Sequence, residues 1–258
     1  MKKLILSGLA AGAIATSANA GMVIDITAGA GAWNAAPSGF VEYGTRLDLE
    51  QDLGLTDKQG LYYYVDVDHF LPLVPNFKIE RQELQTDATK TLANISFGNQ
   101  TFNASTKTTA DLTQNDLSLY WGIPGLNLAT AGIVDVGFGI NLKQFDGYVS
   151  LEETLTGKKE QVALNFIVPM GYASVTVDPP MIPAKLFASY KVISYKDSGL
   201  RDFQAKAMIN LPIPTPLIDW TLDIGYKEQT LKIDDSLSDD ITTDIKFSGV
   251  MFGVSAKF

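Results

Sequence analysis

Apolar and polar residues alternate with a period of two along much of the chain after Gly21. The clearest segments are MVIDITAGAGAW (22–33), IVDVGFGINLK (133–143), QVALNFIV (161–168), DFQAKAMINL (202–211) and LIDWTLDIGYKEQ (217–229). In each segment one face is apolar, and the other is polar, charged or glycine. Because side chains of a strand point alternately to opposite faces, this pattern predicts strands with two different environments. No helical period of any length competes with it, so we expect an all-β protein.

The alternation and the turn residues between the segments predict ten antiparallel strands. They are expected near 22–33, 61–70, 77–87, 111–122, 129–146, 160–169, 184–195, 201–211, 217–231 and 243–258. The strand-like segment 40–50 is expected to extend a hairpin beyond the others. Because strand boundaries read from sequence are imprecise, eight or twelve strands also fit the pattern.

Strands of this kind build either of two architectures. A secreted β-sandwich would bury the apolar faces, whereas a transmembrane β-barrel would turn them to lipid and enclose the polar faces. The connections favour the barrel, because short proline-rich turns alternate with longer polar links, as in membrane barrels with short periplasmic turns. The short turns are LPLVPN (71–76), IPGLN (123–127), DPPMIP (178–183) and LPIPTP (211–216). The longer links include the Thr- and Asn-rich segment 86–110 and EETLTGKKE (152–160).

Aromatic residues near the strand ends also favour the barrel, because membrane barrels carry aromatic girdles at both interfaces. The expected girdle comprises Tyr62 to Tyr64, Phe70, Phe77, Tyr120, Trp121, Phe145, Tyr148, Tyr190, Tyr195 and Trp220. The sequence therefore predicts an up-and-down transmembrane barrel whose last strand pairs with its first.

Residues 1–20, MKKLILSGLAAGAIATSANA, have the organisation of a cleaved signal peptide. Lys2 and Lys3 precede a short apolar run, and Ala18-Asn19-Ala20 is a small-x-small cleavage site. Cleavage before Gly21 would leave a barrel domain of residues 21–258 and change the net charge from −9 to −11. This acidic balance argues against nucleic acid as a partner. With no cysteine and no apolar run long enough for a transmembrane helix, any membrane contact is expected through strands.

The final segment, GVMFGVSAKF, resembles the last strand of outer-membrane β-barrel proteins of Gram-negative bacteria. The stretch VDVDHFLPLVPNFKI (65–79) is similar to a strand–turn–strand of a poorly characterised family of small outer-membrane barrels, matching it at His69, Pro72, Pro75 and Asn76. This resemblance implies location in the outer membrane among lipid and lipopolysaccharide, and assembly by the barrel-assembly machinery. It also implies that alternate residues of the last strand form the assembly signal, namely Phe252, Val254, Ala256 and Phe258.

Strand parity assigns a set of charged residues of both signs to the barrel lumen. They are Asp25, Asp66, Asp68, Lys78, Glu80, Asp116, Asp135, Lys143, Lys185, Lys191, Lys206, Asp219, Asp223 and Lys227. A barrel of eight to ten strands is wide enough only for side chains or one small ligand. Because an unpaired buried charge is costly, these residues are expected to pair and plug the barrel, with a narrow polar pore or binding cavity as the alternative.

Few residues of this sequence are candidates for a catalytic role. His69 is the single histidine, and it lies beside one of the short turns. The turn would be periplasmic, whereas the catalytic base of an outer-membrane hydrolase is expected near the outer rim of the barrel. Asp66 and Asp68 lie on one strand face and could form a general acid–base pair, but pairing with neighbouring lysines explains these two carboxylates as well. The expectation is a non-enzymatic outer-membrane barrel without cofactor or metal, with a structural or small-solute role. An outer-membrane enzyme acting on lipid or peptide and a soluble β-sandwich binding protein are the alternatives, and the oligomeric state stays open.

Overall fold

The computed structural model describes residues 24–69, 71, 73–234 and 241–258. Its elements follow the chain in this order: β1 (Ile24–Tyr43), β2 (Thr45–Asp48), β3 (Lys58–His69), β4 (Asn76–Glu83), β5 (Gln85–Thr91), β6 (Ile95–Phe97), β7 (Gln100–Phe102), β8 (Ser105–Asp111), β9 (Gln114–Gly122), α1 (Leu126–Ala129), β10 (Val134–Phe145), β11 (Gly147–Glu153), β12 (Lys159–Leu164), β13 (Ile167–Val177), β14 (Ala184–Tyr195), β15 (Ser198–Asn210), β16 (Asp219–Ile233) and β17 (Thr242–Lys257). Among the described residues, no helix is long and apolar enough to cross a membrane.

Ten strands form one antiparallel sheet that closes on itself. Their order around the wall is β1, β3, β4, β9, β10, β13, β14, β15, β16 and β17. Strand β17 returns to β1 along a long seam, from Thr27 opposite Lys257 to Glu42 opposite Thr242. Because closure leaves neither of these strands with an unpaired edge, the expected up-and-down barrel is confirmed.

The two ends of the barrel differ. At one end, here called the turn end, lie the four proline-rich connections predicted from the sequence, together with Ile24 and Phe258. The opposite end, called the loop end, carries longer links, and three of them contain further strands: those between β1 and β3, between β4 and β9, and between β10 and β13. Strands β5, β8, β11 and β12 form a four-stranded sheet, β6 and β7 a hairpin, and β2 pairs with the extension of β1. We call this assembly the loop-end cap.

The loop-end cap corrects two expectations. Segment 86–110 was expected to be a polar link and instead contributes four strands, β5 to β8, to the cap. The predicted strand 160–169 was wrong, because β12 ends at Leu164 in the cap sheet and the barrel strand β13 starts at Ile167. The alternation of 161–168 runs through both strands, so periodicity alone did not reveal the change of sheet.

Large apolar side chains cover the outside of the barrel wall. Exposed examples are Leu61, Ile79, Phe138, Ile140, Leu142, Ile167, Leu186, Ile224, Phe252 and Val254. A soluble monomer rarely exposes a continuous apolar surface of this extent, whereas a transmembrane barrel requires one. The sandwich alternative is therefore wrong, because the apolar faces point away from the interior of the sheet.

Neighbouring positions on β17 offer a direct test of the two faces. Val250 is exposed on the outer wall and Met251 is buried inside, and the chain has no native cysteine. In the protein reconstituted in phospholipid vesicles, Val250→Cys is expected to react with a maleimide restricted to the bilayer, and Met251→Cys is not. Labelling of folded Met251→Cys in preference to Val250→Cys would contradict the assignment of faces.

Candidate functional site in the barrel lumen

The lumen is filled by side chains arranged in layers along the barrel axis. Because alternate side chains of each strand point inward, the polar faces of all the barrel strands meet in the same narrow lumen. From the turn end to the loop end, the layers are a vestibule lined by carboxylates, a group of tyrosines, a network of ion pairs, a pair of glutamines and an apolar layer. The chemistry of each layer decides which ions or solutes could enter the lumen or pass through the barrel.

The turn-end vestibule is a cavity of about 650 Å³. Asp25, Asp66, Asp68 and Asp135 line it, with Lys185 and Lys257 near its mouth. Lys257 Nζ lies 2.8 Å from the Asp25 carboxylate, and both side chains are solvent-exposed at the rim. The inner end of the cavity is formed by side chains that include Tyr64, Lys78 and Lys206. The vestibule therefore ends at the ion-pair network.

Asp66 and Asp68 are held by Tyr120 rather than by a lysine. The Tyr120 hydroxyl lies 2.7 Å from Asp66 Oδ1 and 2.6 Å from Asp68 Oδ1. Because a tyrosine hydroxyl carries a single hydrogen, the two carboxyl groups compete for it. The Tyr120 ring packs on that of Tyr172, with centroids 5.5 Å apart. Tyr120 is therefore a structural hydrogen-bond partner of both aspartates.

The central network joins most of the buried lysines and carboxylates into one chain of contacts. In order along that chain its members are Lys78, Glu80, Lys227, Asp202, Lys143, Asp116 and Lys191. Lys143 lies at its centre, with Nζ 2.7 Å from Asp116 and 2.9 Å from Asp202, and its side chain is fully buried. The network spans the lumen because these residues come from β4, β9, β10, β14, β15 and β16.

A second ion pair closes the vestibule side of this network. Lys206 Nζ donates to Asp223 Oδ2 at 2.6 Å and to the Tyr64 hydroxyl at 2.9 Å. Thr221 and Ser255 donate to the other oxygen of Asp223, at 3.1 and 3.2 Å. Every oxygen of this buried carboxylate therefore has a hydrogen-bond partner, as burial of a charge requires.

Amide and apolar layers follow toward the loop end. Gln114 and Gln229 exchange side-chain hydrogen bonds of 2.8 and 3.0 Å. Beyond them the lumen is filled by buried apolar side chains, called the apolar layer. Its members are Leu84, Leu112, Phe145, Leu200, Leu231 and Phe247. A hydrated ion would therefore meet a hydrocarbon barrier after the ion pairs.

Glycines make room for the tyrosines of the lumen. A Cβ atom built on Gly29 would lie 2.5 Å from Tyr64 Cε1, and one on Gly137 would lie 3.0 Å from Tyr120 Cδ2. A Cβ atom built on Gly225 would lie 2.7 Å from the Cβ atom of Lys206. These positions need glycine because no space is left for a side chain.

The structure sorts the charged residues assigned to the lumen into three groups. The buried residues that lie in ion pairs are Lys78, Glu80, Asp116, Lys143, Lys191, Lys206, Asp223 and Lys227. The residues that line the vestibule instead are Asp25, Asp66, Asp68, Asp135 and Lys185. Asp219 is exposed at the start of β16 and lies outside the network.

Sequence reasoning missed two kinds of lumen residue. Asp202 was not assigned to the lumen, although its parity with Gln204 and Lys206 places it on the inward face of β15. The expected girdle was wrong for several aromatic residues that are buried inside the barrel, namely Tyr62, Tyr64, Tyr120 and Phe145. Applying parity to the aromatic residues would have corrected this, since Tyr63 and Tyr190 do lie on the outer wall.

Comparisons with solved structures return proteins of low sequence identity. They include Ail, the attachment invasion locus protein of Yersinia pestis (10% identity, TM-score 0.34, covering 91% of this chain and 99% of Ail). Neisserial surface protein A gives 12% identity and a TM-score of 0.31, covering 93% of this chain and 100% of the other. The CymD monoaromatic hydrocarbon channel gives 9% identity and a TM-score of 0.31, covering 93% and 70%. With TM-scores and identities this low, the fold assignment rests on the strand ladder of the chain itself.

No family model and no curated protein matches the chain.

His69, the remaining candidate for chemistry, is tied to its own turn. Its Nε2 lies 3.1 Å from the carbonyl oxygen of Pro75, and its backbone N–H donates to Asn76 Oδ1 at 2.9 Å. Pro72, which belongs to the same predicted motif, and Phe70 of the expected girdle lie outside the described residues. Within the described part of the chain, no group of three or more His, Cys, Asp or Glu side chains is placed to hold a metal ion.

Proposed function

We propose that this chain is an integral outer-membrane protein without enzymatic activity, whose role is structural rather than that of an open pore. The observation that carries the proposal is the ion-pair network centred on Lys143, which spans the lumen. The expected alternatives were a plugged barrel and a narrow pore or cavity. The network favours the plugged barrel, and the vestibule limits any small-solute role to binding from the turn end.

Two barriers of different chemistry support a closed lumen. A solute that leaves the vestibule must first separate buried ion pairs, and breaking a buried pair leaves an uncompensated charge. It must then cross the apolar layer, where a charged or polar solute loses its hydration. Either barrier alone would restrict passage, and a solute accepted by one is disfavoured by the other.

The arrangement of polar residues supports a non-enzymatic role. A hydrolase of the outer membrane would need a base near the loop end, and the single histidine lies at the turn end with its Nε2 on Pro75. Asp66 and Asp68 are engaged by Tyr120. The enzyme alternative would therefore need a site that uses neither the histidine nor this pair of carboxylates.

The proposal includes a location and partners. Residues 1–20, which lie outside the described residues, would direct the chain across the inner membrane and then be cleaved. The folded barrel would have its loop end facing outward. Outer-membrane lipid and lipopolysaccharide would surround the apolar wall, and the barrel-assembly machinery would recognise the last strand. In that strand Phe252 and Val254 are exposed on the outer wall, while Phe258 donates its backbone N–H to Ile26 at the seam with β1.

Conductance across a planar bilayer tests the closed lumen. The full chain, refolded and inserted, is expected to give no steady single-channel steps, because ions cannot cross the network and the apolar layer. A general porin inserted in the same bilayers shows that channels would be detected. Heat-dependent mobility of the recovered protein on a detergent gel shows that it was folded. Reproducible, long-lived conductance steps from the folded protein would overturn the plugged-barrel proposal.

A further inference from the structure

A separate apolar cavity of about 220 Å³ lies between the loop-end cap and the barrel wall. The cap contributes lining residues from the link before β3 and from β8, β11 and β12, and the wall contributes the outer ends of β1, β16 and β17. We call this cavity the cap chamber. It lies on the loop-end side of the apolar layer and is distinct from the turn-end vestibule.

We propose that the cap chamber binds one small, uncharged, apolar molecule about the size of a single-ring hydrocarbon with a short side chain. Tyr43 and Thr243 carry the only polar side-chain atoms among the lining residues, and none of these residues is charged. The Thr243 hydroxyl donates to the carbonyl oxygen of Phe40 at 2.9 Å, so it is already satisfied. The hydrocarbon surface includes the rings of Phe97, Phe166 and Phe247.

The chemistry of the lining selects against water. A buried water molecule requires about two to four polar partners, and an apolar cavity that cannot supply them stays dry. A charged or strongly polar ligand would lose its hydration without gaining hydrogen bonds. An apolar ligand has no such cost, and it gains dispersion contacts with the hydrocarbon walls of the chamber.

The volume sets the size of the ligand. An engineered cavity of about 150 Å³ lined by Leu, Ile and Phe binds benzene, and the cap chamber is larger, at about 220 Å³. Pockets for drug-sized ligands occupy about 300–1,000 Å³. The chamber therefore fits a substituted single ring and excludes a full lipid acyl chain or a drug-sized molecule.

Rigid surroundings allow the chamber to persist. The core of the cap contains the fully buried Leu53, Phe97, Phe102 and Leu151, and Val149 and Val162 pack against it. Ile245 of β17 packs against this core and against both clusters of the apolar layer. Because the wall belongs to two sheets joined through packed side chains, collapse of the chamber would require one sheet to move against the other.

Methyl NMR with fluorobenzene as the probe tests the proposal. The full chain, refolded in phospholipid nanodiscs, is titrated while the methyl signals of Val149, Val162 and Ile245 are followed. These signals are expected to shift and saturate together. The methyl signals of Val175, exposed on the outer wall, report probe dissolved in lipid and are expected to drift without saturating. Absence of a common, saturable shift at the three chamber residues would overturn the proposal.

Two variants and one control locate the binding. Val149→Phe adds a ring where the chamber lies and is expected to weaken binding of fluorobenzene at least ten-fold. Leu155→Phe adds the same kind of ring at an exposed position outside the chamber lining and is expected to leave binding unchanged within two-fold. Ile245→Ala enlarges the chamber and is expected to shift preference from fluorobenzene toward fluoronaphthalene.

Heat-dependent mobility on a detergent gel establishes that each variant is folded. Undiminished binding by folded Val149→Phe would place the probe elsewhere and overturn the proposal. Unchanged ligand preference in folded Ile245→Ala would do the same. These outcomes are independent of the conductance test, because the chamber could bind an apolar ligand whether or not ions cross the lumen.

Discussion

Replacing Lys143 by methionine is expected to lower the free energy of unfolding by about 3–5 kcal/mol, the cost of removing one partner from a buried ion pair. Lys143 is fully buried and contacts both Asp116 and Asp202. Methionine fills a similar volume but leaves two carboxylates of the network without their central cation. Guanidinium unfolding in vesicles, followed by Trp fluorescence and by gel mobility, measures the loss.

An exposed ion pair provides the matched control for Lys143→Met. Lys58 and Asp87 approach to 3.8 Å with both side chains more than two-fifths exposed, so Lys58→Met is expected to cost at most about 1 kcal/mol. Adding Asp202→Asn to Lys143→Met should recover part of the loss, because Lys227 keeps Glu80 as a partner. Equal effects of Lys143→Met and Lys58→Met would contradict a desolvated network.

Introducing lysine at Ile140 is expected to destabilise the barrel by about 2–4 kcal/mol, the cost of a lysine facing lipid near the middle of the bilayer. Ile140 lies in the central part of β10, points away from the lumen and is 52% exposed. In water such an exposed position would accept lysine at little cost. The penalty therefore arises only if lipid surrounds this surface.

Leu155 is the control for Ile140→Lys. Its side chain is 87% exposed in the turn after β11, within the loop-end cap. Leu155→Lys is expected to change the free energy of unfolding by less than about 0.5 kcal/mol. The two variants are compared by reversible unfolding from vesicles. A similar, small effect of both substitutions would show that the belt around Ile140 does not lie in the hydrocarbon core.

Several features of the fold could be predicted because they are local. The orientation of each side chain follows from the pleat of its own strand, so alternation at 133–143 and 217–229 revealed both faces of β10 and β16. The four proline-rich turns were predicted because proline cannot continue a ladder. Burial of Lys143 and Asp223 followed from parity and closure alone.

Other features depend on which strands become neighbours, and no local pattern encodes that choice. The β12–β13 boundary was missed because both strands carry the same alternation while belonging to different sheets. The cap chamber likewise has no signature along the chain, since its walls come from segments that meet only after the loop-end cap folds onto the barrel.

The sequence by itself determined that the strands carry one apolar face and one polar or charged face, because a period of two assigns each face independently of the partner strand. Only the tertiary structure decided that the sheet closes with the apolar faces outside, and how the enclosed charges combine. Lys227 and Glu80 are 147 residues apart in the chain, and Lys143 and Asp202 are 59 apart. Their pairing depends on strand order and register around the closed wall. Those contacts distinguish a plugged lumen from an open one.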